Sequence, residues 1–155
     1  MSNDRFIMLA PGQVRPGRLP LPSALAVKAT TEDTAGKFSL LEVSVTMDIP
    51  RHVHATEDEA GYVLDGEVEI EFADRTYLAA AGSCFLLPQG VPHAIRRVSD
   101  TPPRVLQVSS PGGWENLVED LIEAGPSILT DGKLDPVKIN PIAAPYGVTY
   151  EQTRE

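Results

Sequence analysis

Apolar and polar residues alternate strictly over two stretches of the chain. Between Phe38 and Met47, Leu41, Val43, Val45 and Met47 fall on one side, and Leu40, Glu42, Ser44 and Thr46 on the other. Between Glu67 and Phe72, Val68, Ile70 and Phe72 oppose Glu67, Glu69 and Glu71. A period of two belongs to a strand with one buried and one wet face, so the glutamate row reads as a solvated surface. Shorter apolar runs at 6–9, 26–29, 61–64, 77–79, 85–87, 93–98 and 104–109 predict further strands. Asp65-Gly66 reads as the turn of a hairpin, and Ala73-Asp74-Arg75 and the segment 88–92 as further turns.

The period changes after Pro111-Gly112-Gly113. Trp114, Leu117, Val118, Leu121 and Ile122 follow the spacing of an amphipathic helix, which Gly125-Pro126 stops. Asp135-Pro136 predicts the start of a second helix, kept short by Pro141 and Pro145. Many short strands followed by a helical tail predict an all-β, antiparallel sandwich or barrel. Its parts are an N-terminal arm (1–35), a barrel core (36–110) and a C-terminal helical segment (111–155) of one domain.

Composition narrows the function classes. The 155 residues suffice for one buried core, and 14 prolines with 12 glycines suit strands and turns better than long helices. A formal charge of −9 argues against nucleic acid or an anionic membrane as partner. No signal-like or membrane-spanning stretch is seen, so the cytoplasm is the expected location. The single cysteine, Cys84, lies in an apolar run and is expected to be buried filler.

Two of the three histidines, His52 and His54, stand two apart and on a strand point to one face. They join the inward parity of Val43 and Val45 only if the chain shifts by one residue near Pro50, as a bulge does. Glu59 begins the next strand after the turn 55–58 and can lie across a hairpin from the pair, while His93 lies on a distant strand. Three imidazoles and a carboxylate suit Fe, Mn, Co, Ni, Cu or Zn. The spacing alone leaves a metal site and a set of ordinary core histidines equally open.

The run His52-Val53-His54, four residues, Glu59, six residues, Gly66 resembles the first cupin motif, G(x)5HxH(x)3–4E(x)6G, from its first histidine onward. Gly82, five residues, Pro88-Gln89-Gly90, two residues, His93 resembles the second, G(x)5PxG(x)2H(x)3N, with 15 residues between Gly66 and Gly82. KFSLLEVSV, EDEAGYVLDGEVEI and the tail from PGGWENLVEDL are similar to small single-domain cupins of the quercetin-dioxygenase-like group. The resemblance implies a jelly-roll barrel, a divalent transition metal held by His52, His54, Glu59 and His93, and a homodimer. It selects Glu59 over Glu57 and Asp58, read as exposed turn acids, and implies that Glu59 serves also as catalytic base. Thr46 replaces the first motif's opening glycine, and Arg97 the second motif's closing asparagine. Gly61 stands where relatives often carry a bulky aromatic, and is expected to open space beside the metal.

The expected interior comprises Val45, Met47, Gly61, Val63, Ile70, Phe85 and Val108, with Arg97 and Trp114 near its rim. Such a site suits a small-molecule substrate, with O2 as a possible second one. The reading is a metal-dependent dioxygenase acting on a phenolic, enolic or dicarbonyl-like compound. The alternatives are a non-redox isomerase, lyase or polyketide cyclase with the metal as Lewis acid, and a non-catalytic binding cupin.

Overall fold

The computed structural model describes residues 5–152. Among the described residues twelve strands form in chain order: β1 (Leu25–Ala29), β2 (Ser39–Ser44), β3 (Ile49–His54), β4 (Asp58–Asp65), β5 (Glu67–Phe72), β6 (Arg75–Ala80), β7 (Cys84–Leu87), β8 (His93–Arg97), β9 (Arg104–Ser110), β10 (Leu129–Thr130), β11 (Lys133–Leu134) and β12 (Val148–Tyr150). Two helices, α1 (Trp114–Ala124) and α2 (Pro136–Ala143), lie in the C-terminal segment. Two five-stranded antiparallel sheets, ordered β1-β2-β9-β4-β7 and β12-β3-β8-β5-β6, carry the fold, and β10-β11 make a small separate hairpin. The arrangement is consistent with a jelly roll, but the two sheets remain separate and do not close into one hydrogen-bonded barrel.

The core explains why these segments pair. Val45, Val63, Leu87 and Val105 from the β2–β9 side pack with Val68, Ile70 and Ile95 from the other sheet. Each is the inward member of an alternating strand, so pairing the two apolar faces removes both from water. A second cluster joins Leu117 of α1, Ile139 and Ala143 of α2, and Val148 and Tyr150 of β12. Asp135 caps α2 by accepting the Val137 N–H at 2.9 Å, as Asp135-Pro136 predicts. The polar side of α1 is also used. Glu115 accepts the Thr31 N–H at 2.5 Å and Glu119 the Arg18 N–H at 2.8 Å, so the helix holds down the N-terminal arm.

Several expectations are corrected. Asp65-Gly66 is not a hairpin turn: β4 pairs with β7 and β9, β5 with β6 and β8, and the chain crosses between sheets at Gly66. Gly66 has φ 76°, and a Cβ there would meet Pro103 at 3.1 Å, so glycine suits this corner for two reasons. Residues 6–9 form no strand, and Phe6 is 84% exposed. Cys84 is exposed because β7 turns Phe85 and Leu87 inward and Cys84 and Leu86 outward. The glutamate row is only partly solvated: Glu71 pairs with Arg51 and Arg96, both at 2.7 Å, and Glu69 with Arg96 at 3.2 Å. β12, β10 and β11 were not expected.

Candidate metal centre

β3 and β8 place the three histidines. Ile49 pairs with Ile95 and His52 with His93, so three steps along β3 answer two along β8. This bulge beside Pro50 is the one-residue shift that the parity of the histidines requires, and it aims both His52 and His54 inward. Glu59 comes from the other sheet. It sits on β4 opposite Leu87 and Ser109, and reaches across the interior rather than across a hairpin. The four side chains are all buried, and their ligand atoms lie within 4.8 Å of one another.

Backbone carbonyls orient two of the rings. His52 Nδ1 lies 2.8 Å from the Pro50 oxygen and His93 Nδ1 3.3 Å from the Val91 oxygen. A carbonyl only accepts, so Nδ1 carries a proton in both rings and Nε2 is the atom turned to the interior. His54 Nδ1 faces Glu57 Oε2 at 3.5 Å. The Glu57 side chain is only 13% exposed, which corrects its reading as an exposed turn acid. Gln107 Nε2 donates to Glu59 Oε1 at 2.8 Å, and Glu59 Oε2 lies 3.3 Å from His54 Nε2 and 3.4 Å from His93 Nε2.

Charge is distributed as a cation site needs it. Burial drives His52 down to about 3, helped by the neighbouring His93, so the ring is neutral and able to ligate. Burial alone raises the Glu59 carboxyl, but contacts with His54 and His93 outweigh it and hold the group below its ordinary value. The Tyr150 phenol is raised by burial and by Glu59, so it is neutral where it stacks on His52 at 4.8 Å between centroids. His54 Nε2, His93 Nε2 and Glu59 Oε2 are buried without hydrogen-bond partners. Leaving such groups unsatisfied is costly, and a divalent cation among them satisfies all three at once. The donor set fits a metal ion.

Beside these residues lies a narrow cavity of about 30 Å³, walled by Val45, Ile49, Val105, Phe85 and Trp114, with Gln107 among its polar residues. The Trp114 ring stands 5.2 Å from that of His54, so α1 covers one side of the centre. Val45, Gly61, Phe85 and Trp114 line this cavity as expected from sequence; Met47, Val63, Val108 and Arg97 do not. Met47 is 38% exposed because it follows the end of β2. Val63 is buried within the core instead. Val108 lies on the opposite face of β9 from Val105, Gln107 and Ser109. Arg97 donates to the carbonyls of Thr46, Ser99 and Asp100 and ties down the loop between β8 and β9. Gly61 opens no space, because the Phe85 ring occupies the position of its missing side chain. Gln107 was missed; the alternation Val105, Gln107, Ser109 was its available signal.

Residues 40–109 match the family model described as Cupin domain. No curated protein sequence matches the chain. Among solved structures, KdgF from Halomonas sp. is similar with a TM-score of 0.52 and 18% identity, over 63% of this chain and 88% of that one. Ectoine synthase from P. lautus is similar with a TM-score of 0.52 and 25% identity, over 63% and 70% of the two chains. A predicted oxalate decarboxylase from Thermotoga maritima is similar with a TM-score of 0.50 and 22% identity, over 56% and 78%.

Proposed function

We propose that this cupin domain is a metal-dependent enzyme in which His52, His54, Glu59 and His93 hold one divalent transition metal, and that it is a dioxygenase acting on an enolic, phenolic or dicarbonyl-like small molecule. The carrying observation is the combination of a buried three-histidine, one-carboxylate cluster with a cavity whose walls are largely apolar. Such walls favour an uncharged gas and a mostly apolar substrate that meets the protein's polar groups only at its chelating oxygens.

When bound, the metal supplies a Lewis acid for the chelating oxygens and, if redox-active, an electron relay to O2. The chain's own residues do the rest. Gln107 fixes Oε1 of Glu59, so Oε2 is the oxygen that would hold the metal and, once shifted off it, accept a proton from a substrate hydroxyl or enol. The Nδ1 bonds of His52 and His93 hold their rings in one tautomer, and Trp114 and Phe85 exclude water.

A second reading, a non-redox cyclase, isomerase or lyase, is supported by the likeness to ectoine synthase, whose name denotes synthesis of ectoine. Elemental analysis of protein purified without chelator or affinity tag, with oxygen uptake measured on enolic, phenolic and dicarbonyl compounds, separates the two. About one equivalent of Fe, Mn, Ni, Co or Cu with substrate-dependent O2 loss is expected. Turnover supported equally by Zn without O2 loss moves the assignment to the second reading. Absence of metal that cannot be restored overturns both.

A further inference from the structure

Phe85 and Gly61 are direct partners on the neighbouring strands β7 and β4. A Cβ built on Gly61 would lie 2.1 Å from Cζ of Phe85, 2.5 Å from Cε2 and 2.8 Å from Cε1. The ring therefore lies directly over the glycine, in space that any other residue at 61 would claim. Both residues line the cavity beside Glu59, and with the ring in place only about 30 Å³ remains free. That volume holds one or two water-sized groups and excludes an aromatic ring. Among its other walls, Val45 and Ile95 are buried in the core, and the Trp114 ring stands 5.2 Å from that of His54.

We infer that Phe85, seated on Gly61, is the specificity-determining residue of the centre and restricts its substrate to a compact aliphatic chelating molecule, such as a short-chain 2-oxo acid or 1,2- or 1,3-dicarbonyl. The inference rests on the metal-centre reading given above and narrows it by removing ring-bearing phenolics. β7 is the edge strand of its sheet and pairs with β4 alone, with Phe85 opposite Gly61.

The test compares two hydroxamates on protein loaded with Co(II), read by calorimetry and the visible spectrum of the metal. Wild type should bind acetohydroxamate at least about tenfold more tightly than benzohydroxamate, and Phe85→Ala should abolish that preference by gaining benzohydroxamate. Phe85→Leu serves if the alanine variant does not fold, and should narrow the preference. Equal binding of the two ligands by wild type, or a preference unchanged in the variants, overturns the inference. If wild type takes up no Co(II), the metal reading fails separately, and the plug is judged on metal-free protein with benzene as the probe. Benzene bound by Phe85→Ala and not by wild type then upholds the plug; benzene bound by both or by neither overturns it.

Discussion

Glu59 is pulled in two directions. Burial favours its neutral form, while His54 and His93 hold it ionised, and Gln107 occupies one of its oxygens. Replacing Gln107 with Leu keeps the volume and leaves Oε1 unpaired, so metal affinity should fall about 10- to 100-fold. Competition against a chelator of known affinity measures this, and an unchanged affinity shows that Gln107 does not support Glu59. Glu57→Gln should act in the same direction on His54, whose Nδ1 it faces at 3.5 Å. An exposed acid such as Asp65 serves as the control, since its neutralisation should leave affinity intact. His93→Ala should abolish stoichiometric metal outright, because it removes one of only three imidazoles in the chain.

At the scale of elements, the helical segment is part of the fold that positions the site. Leu117 of α1 is fully buried among Ile139, Val148 and Tyr150, and Tyr150 in turn stacks on His52. Leu117→Ala should cost about 2–5 kcal/mol, the range for a buried leucine in a packed core. Chemical denaturation of the metal-free protein measures it, and a loss under about 1 kcal/mol would mean that the helix is not packed as described. Asp135→Ala removes the α2 cap and an exposed hydrogen bond from the Thr130 hydroxyl at 2.6 Å, and should cost about 1–2 kcal/mol. The bulge between Ile49 and His52 has the opposite character: it adds little stability itself, but without it His52 and His54 would face away from Glu59.

For the whole molecule, the site makes stability depend on pH and on metal. His52 is neutral in the folded protein down to about 3, whereas the unfolded chain protonates it below its ordinary value of 6.5. The unfolded state therefore binds more protons in that window, so stability is complete above about pH 6.5 and declines towards about pH 3. The lowered Glu59 carboxyl adds a loss of the same sign below its ordinary value of 4.5. Melting temperature followed from about pH 7.5 to about pH 4, through the ordinary histidine range, should fall on the acid side. A flat profile, or one that His52→Gln leaves unaltered, contradicts the assignment. Metal would bind the folded site and not the unfolded chain, so chelator should lower the melting temperature, and free metal at about 100 times its Kd should add about 2.7 kcal/mol.

Much of this was legible in the one-dimensional pattern. Alternation along 39–45 and 67–72 marked inward and outward faces, Asp135-Pro136 marked a helix start, and the family-like motifs around His52, His54, Glu59 and His93 singled out the four residues that cluster in the fold. These features are local: a period of two or a cap depends on residues a few positions apart. Which strands become neighbours depends on contacts between distant segments. An Asp-Gly turn has the same residues whether it closes a hairpin or carries the chain to another sheet, so the separation of β4 from β5 is decided by their partners β9 and β8. The same holds for Val108 and Gln107, whose faces follow from the register of β9, and for Met47, which lies beyond the end of β2. By itself the sequence marked most of the strands, the start of α2 and four residues whose clustering suits a metal ion. Only the tertiary structure decided that Glu59 meets the histidines from the opposite sheet and that Phe85 fills the space over Gly61, because both depend on packing between segments whose approach no local pattern records.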